Sequence, residues 1–398
     1  MSAASARIRI RVRMTARPVD EPHRVSSQLE LLFDLTFVVA VAALTAQLAH
    51  RIADGHAGAG IVPFLQVFFA IWWAWMNFTW FASSYDTDDV VYRLLTMLQM
   101  AGVLVLAAGA PAAADDSDYR AVTLGYFIMR IGLVAQWLRV GVEDHASRRT
   151  ALRYAAGITI VQVGWILRLF VSDAGALPPS SQLPLFAILA VLELAVPRWA
   201  ERARATNWHP HHIAERYGLF TIILLGESVL AAATGVQEAL HTAEISGPFI
   251  TIAVSSLVLL FALWWLYFLE PAGEALGDRR HRSYLWGYGH YGIFAALTAL
   301  GAGLEVAVEQ TGHNLKASPH AVGYAVAIPV GAFLTLLWAV QAPIIAEPVI
   351  PPTWVLGSVT LILLLPLAVG WIGVSAVVAA IATVCVLLIA ATITTRTG

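Results

Sequence analysis

VPFLQVFFAIWWAWMNFTWFA, residues 62–82, carries no ionisable side chain. Backbone N–H and C=O groups cannot go unpaired in hydrocarbon, so an apolar run of about 20 residues is a helix that crosses a bilayer. The centre of this run then returns. Phe69-Ala70-Ile71-Trp72-Trp73 reappears as Phe261-Ala262-Leu263-Trp264-Trp265, an offset of 192 positions from Phe69 to Phe261. The same offset without a gap places Tyr92 on Tyr284 and Gly109 on Gly301. An offset of 193 matches Leu31-Leu32-Phe33-Asp34 with Leu224-Leu225-Gly226-Glu227, whereas a loop gap would instead set Glu30 on Glu215. A repeat at a fixed period signals a duplicated structural unit.

Outward from residues 62–82, hydropathy predicts twelve spans. Their limits are 28–49, 62–82, 91–110, 119–141, 153–171, 183–200, 213–235, 248–270, 284–306, 321–341, 353–370 and 373–395. Residues 351–395 are uncharged and long enough to cross twice, with Gly370 and Gly373 marking the turn. The expected fold class is an all-α integral membrane protein of about 12 transmembrane helices, arranged as two parallel six-helix repeats. Residues 1–25 form a basic cytoplasmic arm, 26–205 the first repeat and 206–398 the second. Parallel repeats place a substrate site at their interface in several transporter folds.

Composition agrees with a lipid solvent. Hydrophobic residues make up 59% of the 398 and charged residues 13%, with a mean hydropathy of +0.71. Arginine placement then sets orientation. On one side fall Arg148 and Arg149, then Arg198, Arg202 and Arg204, then Arg279, Arg280 and Arg282. The other side holds Asp115, Asp116 and Asp118, then Asp173, then Glu238 and Glu244, with Arg51, Arg120 and Lys316 as basic exceptions. Both termini are therefore expected on the cytoplasmic side. The leading arginines, Arg7, Arg9, Arg11, Arg13, Arg17 and Arg24, lack the apolar stretch of a signal peptide and read as a flexible arm able to touch anionic lipid. A single cysteine, Cys385, excludes a disulfide framework and a cysteine metal site.

Charge inside a membrane costs roughly 2.5–3.5 kcal/mol per residue even on lenient scales, so it seeks a partner or a wet cavity. Arg130, Glu193 and Glu227 lie near predicted midpoints. Two readings fit them, an ion or proton pathway and a static pair that fixes packing. Glu30 and Asp34 share one face of the first helix and suit either a bound cation or an interfacial ion pair. Asp86, Asp88, Asp89 and Arg93 bracket the turn after the second span, where the acids suit caps of the third helix. His209, His211 and His212 precede Glu215 with donors suited to a metal, yet without the spacing of a zinc motif. His290, amid Gly287, Gly289 and Gly292, fits a proton relay or a helix-to-helix bond. No phosphate loop, nucleophile elbow, dinucleotide fingerprint or nucleic-acid patch is present in the sequence, and no cofactor is implied.

Four stretches resemble the bacterial low temperature requirement protein A family. They are ELLFDLTFVVAVAAL from Glu30, WWAWMNFTWFASSYDTDDVVYRLLTMLQMAGVLVLAAG from Trp72, AERYGLFTIILLGESVLA from Ala214 and YLWGYGHYGIFAALTALGAGLE from Tyr284. The resemblance implies a multi-pass membrane protein and brings no biochemical activity with it. Its pattern residues fall on Glu30, Asp34, Asp86, Asp88, Arg93, Arg130, Glu215, Arg216, Glu227 and His290. The loop Gly277-Asp278-Arg279-Arg280-His281-Arg282 faintly resembles a major facilitator motif that the matching first-half loop lacks.

The leading functional expectation is a transporter or permease moving a small solute or ion with proton coupling, through Glu227, Glu193, Arg130, Asp34 and His290. The alternative is an intramembrane enzyme on a lipid or isoprenoid, its Asp86, Asp88 and Asp89 holding a divalent metal. A third reading is a non-catalytic stress-adaptation component of the membrane. The bilayer is the expected partner and nucleic acid is not.

Overall fold

The computed structural model describes residues 10–19, 21–22, 24–176, 178–242, 246–345 and 349–397, with the side chains of 231–242 and 395–397 excepted. Arg7, Arg9 and Glu244, and the side chain of Glu238, lie outside the described residues. Every regular element among the described residues is a helix. In chain order these are α1 (Gln28–Ala53), α2 (Ala57–Tyr85), α3 (Val90–Asp115), α4 (Arg120–Glu143), α5 (Arg148–Asp173), α6 (Gln182–Ala200) and α7 (Pro210–Thr242). They continue with α8 (Gly247–Tyr267), the short α9 (Ala272–Asp278), α10 (Ser283–Glu309), α11 (Pro319–Gln341), α12 (Pro352–Leu364) and α13 (Val369–Thr397). Ten helical segments among the described residues are long and apolar enough to cross a membrane. The chain is a multi-pass membrane protein.

Local chemistry sets where the helices start. Ser27 and Glu30 form a reciprocal box at the head of α1, the Glu30 N–H donating to Ser27 Oγ (3.3 Å) and the Ser27 N–H to Glu30 Oε2 (2.7 Å). Asp89 caps α3 by accepting from the Tyr92 N–H at 2.8 Å. Ser246 and Ser318, each with a proline in the first turn that follows, cap α8 and α11 in the same way. The uncharged segment from Pro352 to Thr394 is interrupted by a 3-10 turn at Leu365–Ala368 and then by Gly373, whose φ of 81° only glycine adopts cheaply.

The chain divides into two compact units. Unit 1 comprises Met1–Ala40 and Phe69–Ile213, and unit 2 comprises Val41–Phe68 and Ala214–Gly398. In unit 1, α3 and α4 make the most extensive helix pair, followed by α4 with α5 and α5 with α6. Gly102 and Gly125 permit this close approach, since a Cβ at Gly102 would stand 2.6 Å from the Gly125 carbonyl oxygen and one at Gly125 would stand 2.4 Å from the Leu106 nitrogen. Aromatic stacking fills the rest, with Trp137 flat on Tyr154 at 4.1 Å and Phe33 against Phe78 at 3.9 Å. In unit 2, α10 packs most extensively on α11, and α8 on α13.

The duplicated aromatic motif sits in two different environments. In α2, Phe69, Trp72 and Trp73 are buried, with Phe69 edge-on to Phe186 of α6. In α8, Phe261, Trp264 and Trp265 are exposed. Those three side chains line one wall of an open apolar cleft of about 580 Å³, whose other wall is Ile222, Leu225, Gly226 and Val229 of α7.

Candidate functional site

Glu193 of α6 is fully buried in unit 1. Its Oε2 accepts from the Trp73 indole N–H at 2.8 Å and from Arg130 Nη2 at 3.4 Å. Its Oε1 accepts from the Tyr126 hydroxyl at 2.9 Å and the Trp165 indole at 3.2 Å. Arg130 also donates to the Tyr126 oxygen and lies 4.3 Å from the centre of that ring. A carboxylate offers about four lone-pair sites, and here four donors from α2, α4 and α5 occupy them. Of the three predicted midplane charges, the structure brings these two together as a buried pair whose carboxylate is saturated, while Arg130 Nε is shielded with no hydrogen-bond partner among the described residues. Such a pair fixes four helices against one another.

At the end of unit 1 where α1 begins, a second charged cluster forms around Glu30. His212 Nε2 stands 3.0 Å from Glu30 Oε1, and Arg24 Nη2 stands 3.4 Å from the same oxygen and 3.7 Å from Asp86 Oδ2. Burial, and then the negative charge of Glu30, push the Asp86 carboxyl up to about 6 against the partial relief of Arg24 and Arg17. Asp34, one turn past Glu30 and also buried, accepts from the Trp75 indole at 2.7 Å. The His212 backbone N–H points at His209 Nδ1, 3.4 Å away, while His211 is exposed. These histidines serve the Glu30 cluster and the entry to α7. Among the described residues no three His, Cys, Asp or Glu side chains are placed to share a metal ion.

The expected flexible arm is a docked strap over its described length. Arg11 pairs with Glu143 at 2.6 Å, and the Met14 N–H donates to the other Glu143 oxygen at 2.6 Å. The Val12 N–H donates to Asp89 at 2.7 Å, Arg139 bridges Asp89 and the Val12 carbonyl, and the Arg17 N–H bonds Ser84 O at 2.9 Å. Met14 is completely buried. Burial alone would raise the Asp89 carboxyl, but hydrogen bonds from Arg139, Val12 and Tyr92 outweigh it and hold the group below the usual range. The three aspartates near the second turn thus have separate duties. Asp89 holds the strap and caps α3, Asp86 faces Arg24, and Asp88 pairs with exposed Arg93 at 2.7 Å. Sequence reading missed Arg139 and Glu143, although their i,i+4 spacing at the end of α4 was a usable signal.

In unit 2, His290 is enclosed by Tyr217, Trp286, Phe294 and Tyr267. Its Nδ1–H donates to the Trp286 carbonyl at 2.7 Å, which leaves Nε2 to accept from the Tyr267 hydroxyl at 3.1 Å. Both ring nitrogens are satisfied by one neutral tautomer, the pattern of a helix-to-helix bond. Glu227 of α7 differs, for its Oε2 is shielded and has no hydrogen-bond partner among the described residues. Its charged neighbour within electrostatic reach is another acid, Glu305 of α10, which also feels Glu309. Sequence reading passed over Glu305, the last residue of the fourth quoted stretch. Glu215 lies half-buried in the first turns of α7.

A curated relative and a family profile both match the chain. A curated relative, an uncharacterized protein of Rhizobium meliloti (strain 1021), is 28% identical over 298 residues, covering 70% of this chain and 69% of that protein. No solved structure matches the chain. The profile of the bacterial low temperature requirement A protein matches residues 25–392, from the end of the strap through α13, and the chain belongs to that family.

Proposed function

We propose that the protein is a transporter or permease for a small solute or ion, coupled to protons through Glu227 and Glu305. The observation that carries this reading is the shielded, unpartnered oxygen of Glu227 beside a second carboxylate in unit 2. A shielded carboxylate near the middle of a span, with a second acid toward the end of α10 within electrostatic reach, is eased by a proton or a bound cation. The charge of such a pair changes with occupancy, which is what coupling requires. Glu193, with four donors on its two oxygens and Arg130 as its counter-charge, has no such freedom, and the pair is read as a support, as are Asp34 and His290.

The architecture we propose with this reading is a set of twelve crossings in two parallel six-helix repeats, with both termini in the cytoplasm of a bacterial inner membrane. Pro352–Thr394 spans about 65 Å at 1.5 Å per residue, twice a hydrocarbon core of about 30 Å, and is broken near its middle. Under the 192-residue offset α3 falls on α10, and each is the third long helix of its half, packed against the next long helix.

Pyranine-loaded proteoliposomes given steps of pH, sodium or potassium test the proposal. Wild type is expected to move protons on at least one gradient, and Glu227→Gln or Glu305→Gln to slow that flux about tenfold or more. Folded wild type that moves no protons under any gradient, or variants with unchanged flux, would overturn it.

A further inference from the structure

Arg168 sits five residues before the end of α5, roughly 7 Å from that end at 1.5 Å per residue. Its Nη2 reaches the carbonyl of Gln182, the first residue of α6, at 3.5 Å. Its guanidinium also lies 5.7 Å from the ring of Tyr119, the residue before α4. Three helix ends therefore set its level at the boundary between hydrocarbon and headgroups. Trp165 and Phe186 complete an aromatic cage at 6.0 and 5.7 Å. The cage holds the side chain half-buried, and its shielded Nε–H has no hydrogen-bond partner among the described residues.

No carboxylate among the described residues comes within ion-pair distance of Arg168. Its neighbour at the same end, Arg120, is compensated by Asp118 at 3.0 Å and Asp173 at 3.9 Å. A fixed, uncompensated guanidinium at headgroup level, with planar donors to spare, matches the oxygens of a phosphodiester. The Tyr119 and Phe186 rings offer apolar surface to the chain below it.

We propose that Arg168, with Tyr119, Trp165 and Phe186, forms a binding site for the phosphate of an anionic phospholipid. Native mass spectrometry of the full-length protein in detergent, titrated with phosphatidylglycerol, phosphatidylcholine or inorganic phosphate, tests it. Wild type is expected to retain phosphatidylglycerol over phosphatidylcholine and to keep it in millimolar inorganic phosphate. Arg168→Gln should weaken retention about tenfold, the loss of one charge-assisted hydrogen bond, while Arg120→Gln should leave it unchanged. Arg168→Lys, which keeps the charge without the planar fork, should fall between and serves if the glutamine variant does not fold. Equal retention of the two lipids, displacement by inorganic phosphate, or equal loss in both arginine variants would each overturn the proposal.

Discussion

Replacing Glu193 by glutamine separates a structural pair from a pathway. An amide keeps one acceptor oxygen and presents an NH₂ where the carboxylate had its second. Its cheapest orientation keeps the oxygen toward Trp73 and Arg130 and turns the NH₂ toward Tyr126, whose hydroxyl can rotate to accept. Trp165 then faces a donor, an unsatisfied indole costing about 1–3 kcal/mol. Arg130 also loses its counter-charge inside unit 1, which brings the total to about 3–5 kcal/mol. Arg130→Met should cost about as much, because it strands the carboxylate. The double variant should cost about 2–3 kcal/mol less than the sum of the singles, since neither charge is left alone. Reversible unfolding in mixed micelles with increasing dodecyl sulfate, followed by circular dichroism, measures all four corners. A coupling below about 0.5 kcal/mol would refute the static pair. So would a fully stable Glu193→Gln protein that has lost flux.

Other consequences are open to the same measurements. Met14→Ala empties a completely buried strap position and should cost about 2 kcal/mol or more, whereas a truly flexible arm would show no change. Asp86 has a folded pKa of about 6, above the ordinary carboxylate value of 3.8, so the folded state binds the extra proton. Stability from this group is full below about pH 4 and is lost as pH rises through about 6, and Asp86→Asn should flatten the fall of melting temperature across that window. Gly102→Leu should abolish folded monomer on gel filtration by driving a side chain into the Gly125 backbone, while Gly58→Leu, which meets nothing within 4 Å, should be tolerated.

Most of the helices were legible because lipid imposes one rule on every crossing, and the predicted spans 28–49 through 321–341 each coincide with an observed helix. Their ends were less legible, since helices run past the apolar stretch into polar flanks, as α1 does to Ala53 and α7 does in starting at Pro210. The partners of buried charge were the hardest to read. Arg130 and Glu193 stand 63 residues apart, and nothing local in the sequence tells that two indoles and a phenol complete the contact. The strap was misjudged for a related reason. Alternating arginines look solvated until Asp89, Glu143 and Arg139, from distant stretches, supply a surface for them.

The Glu193 cage also imposes an order on synthesis. Trp73, Tyr126, Arg130 and Trp165 are all made before the carboxylate that joins them. At roughly 5–20 residues per second, the 63 residues from Arg130 to Glu193 take about 3–13 s to appear. Through that interval the guanidinium has only Tyr126, four residues away, as its partner from this set. A lone central arginine costs roughly 2.5–3.5 kcal/mol on the insertion scale, so the fourth helix carries that cost until the sixth brings the counter-charge.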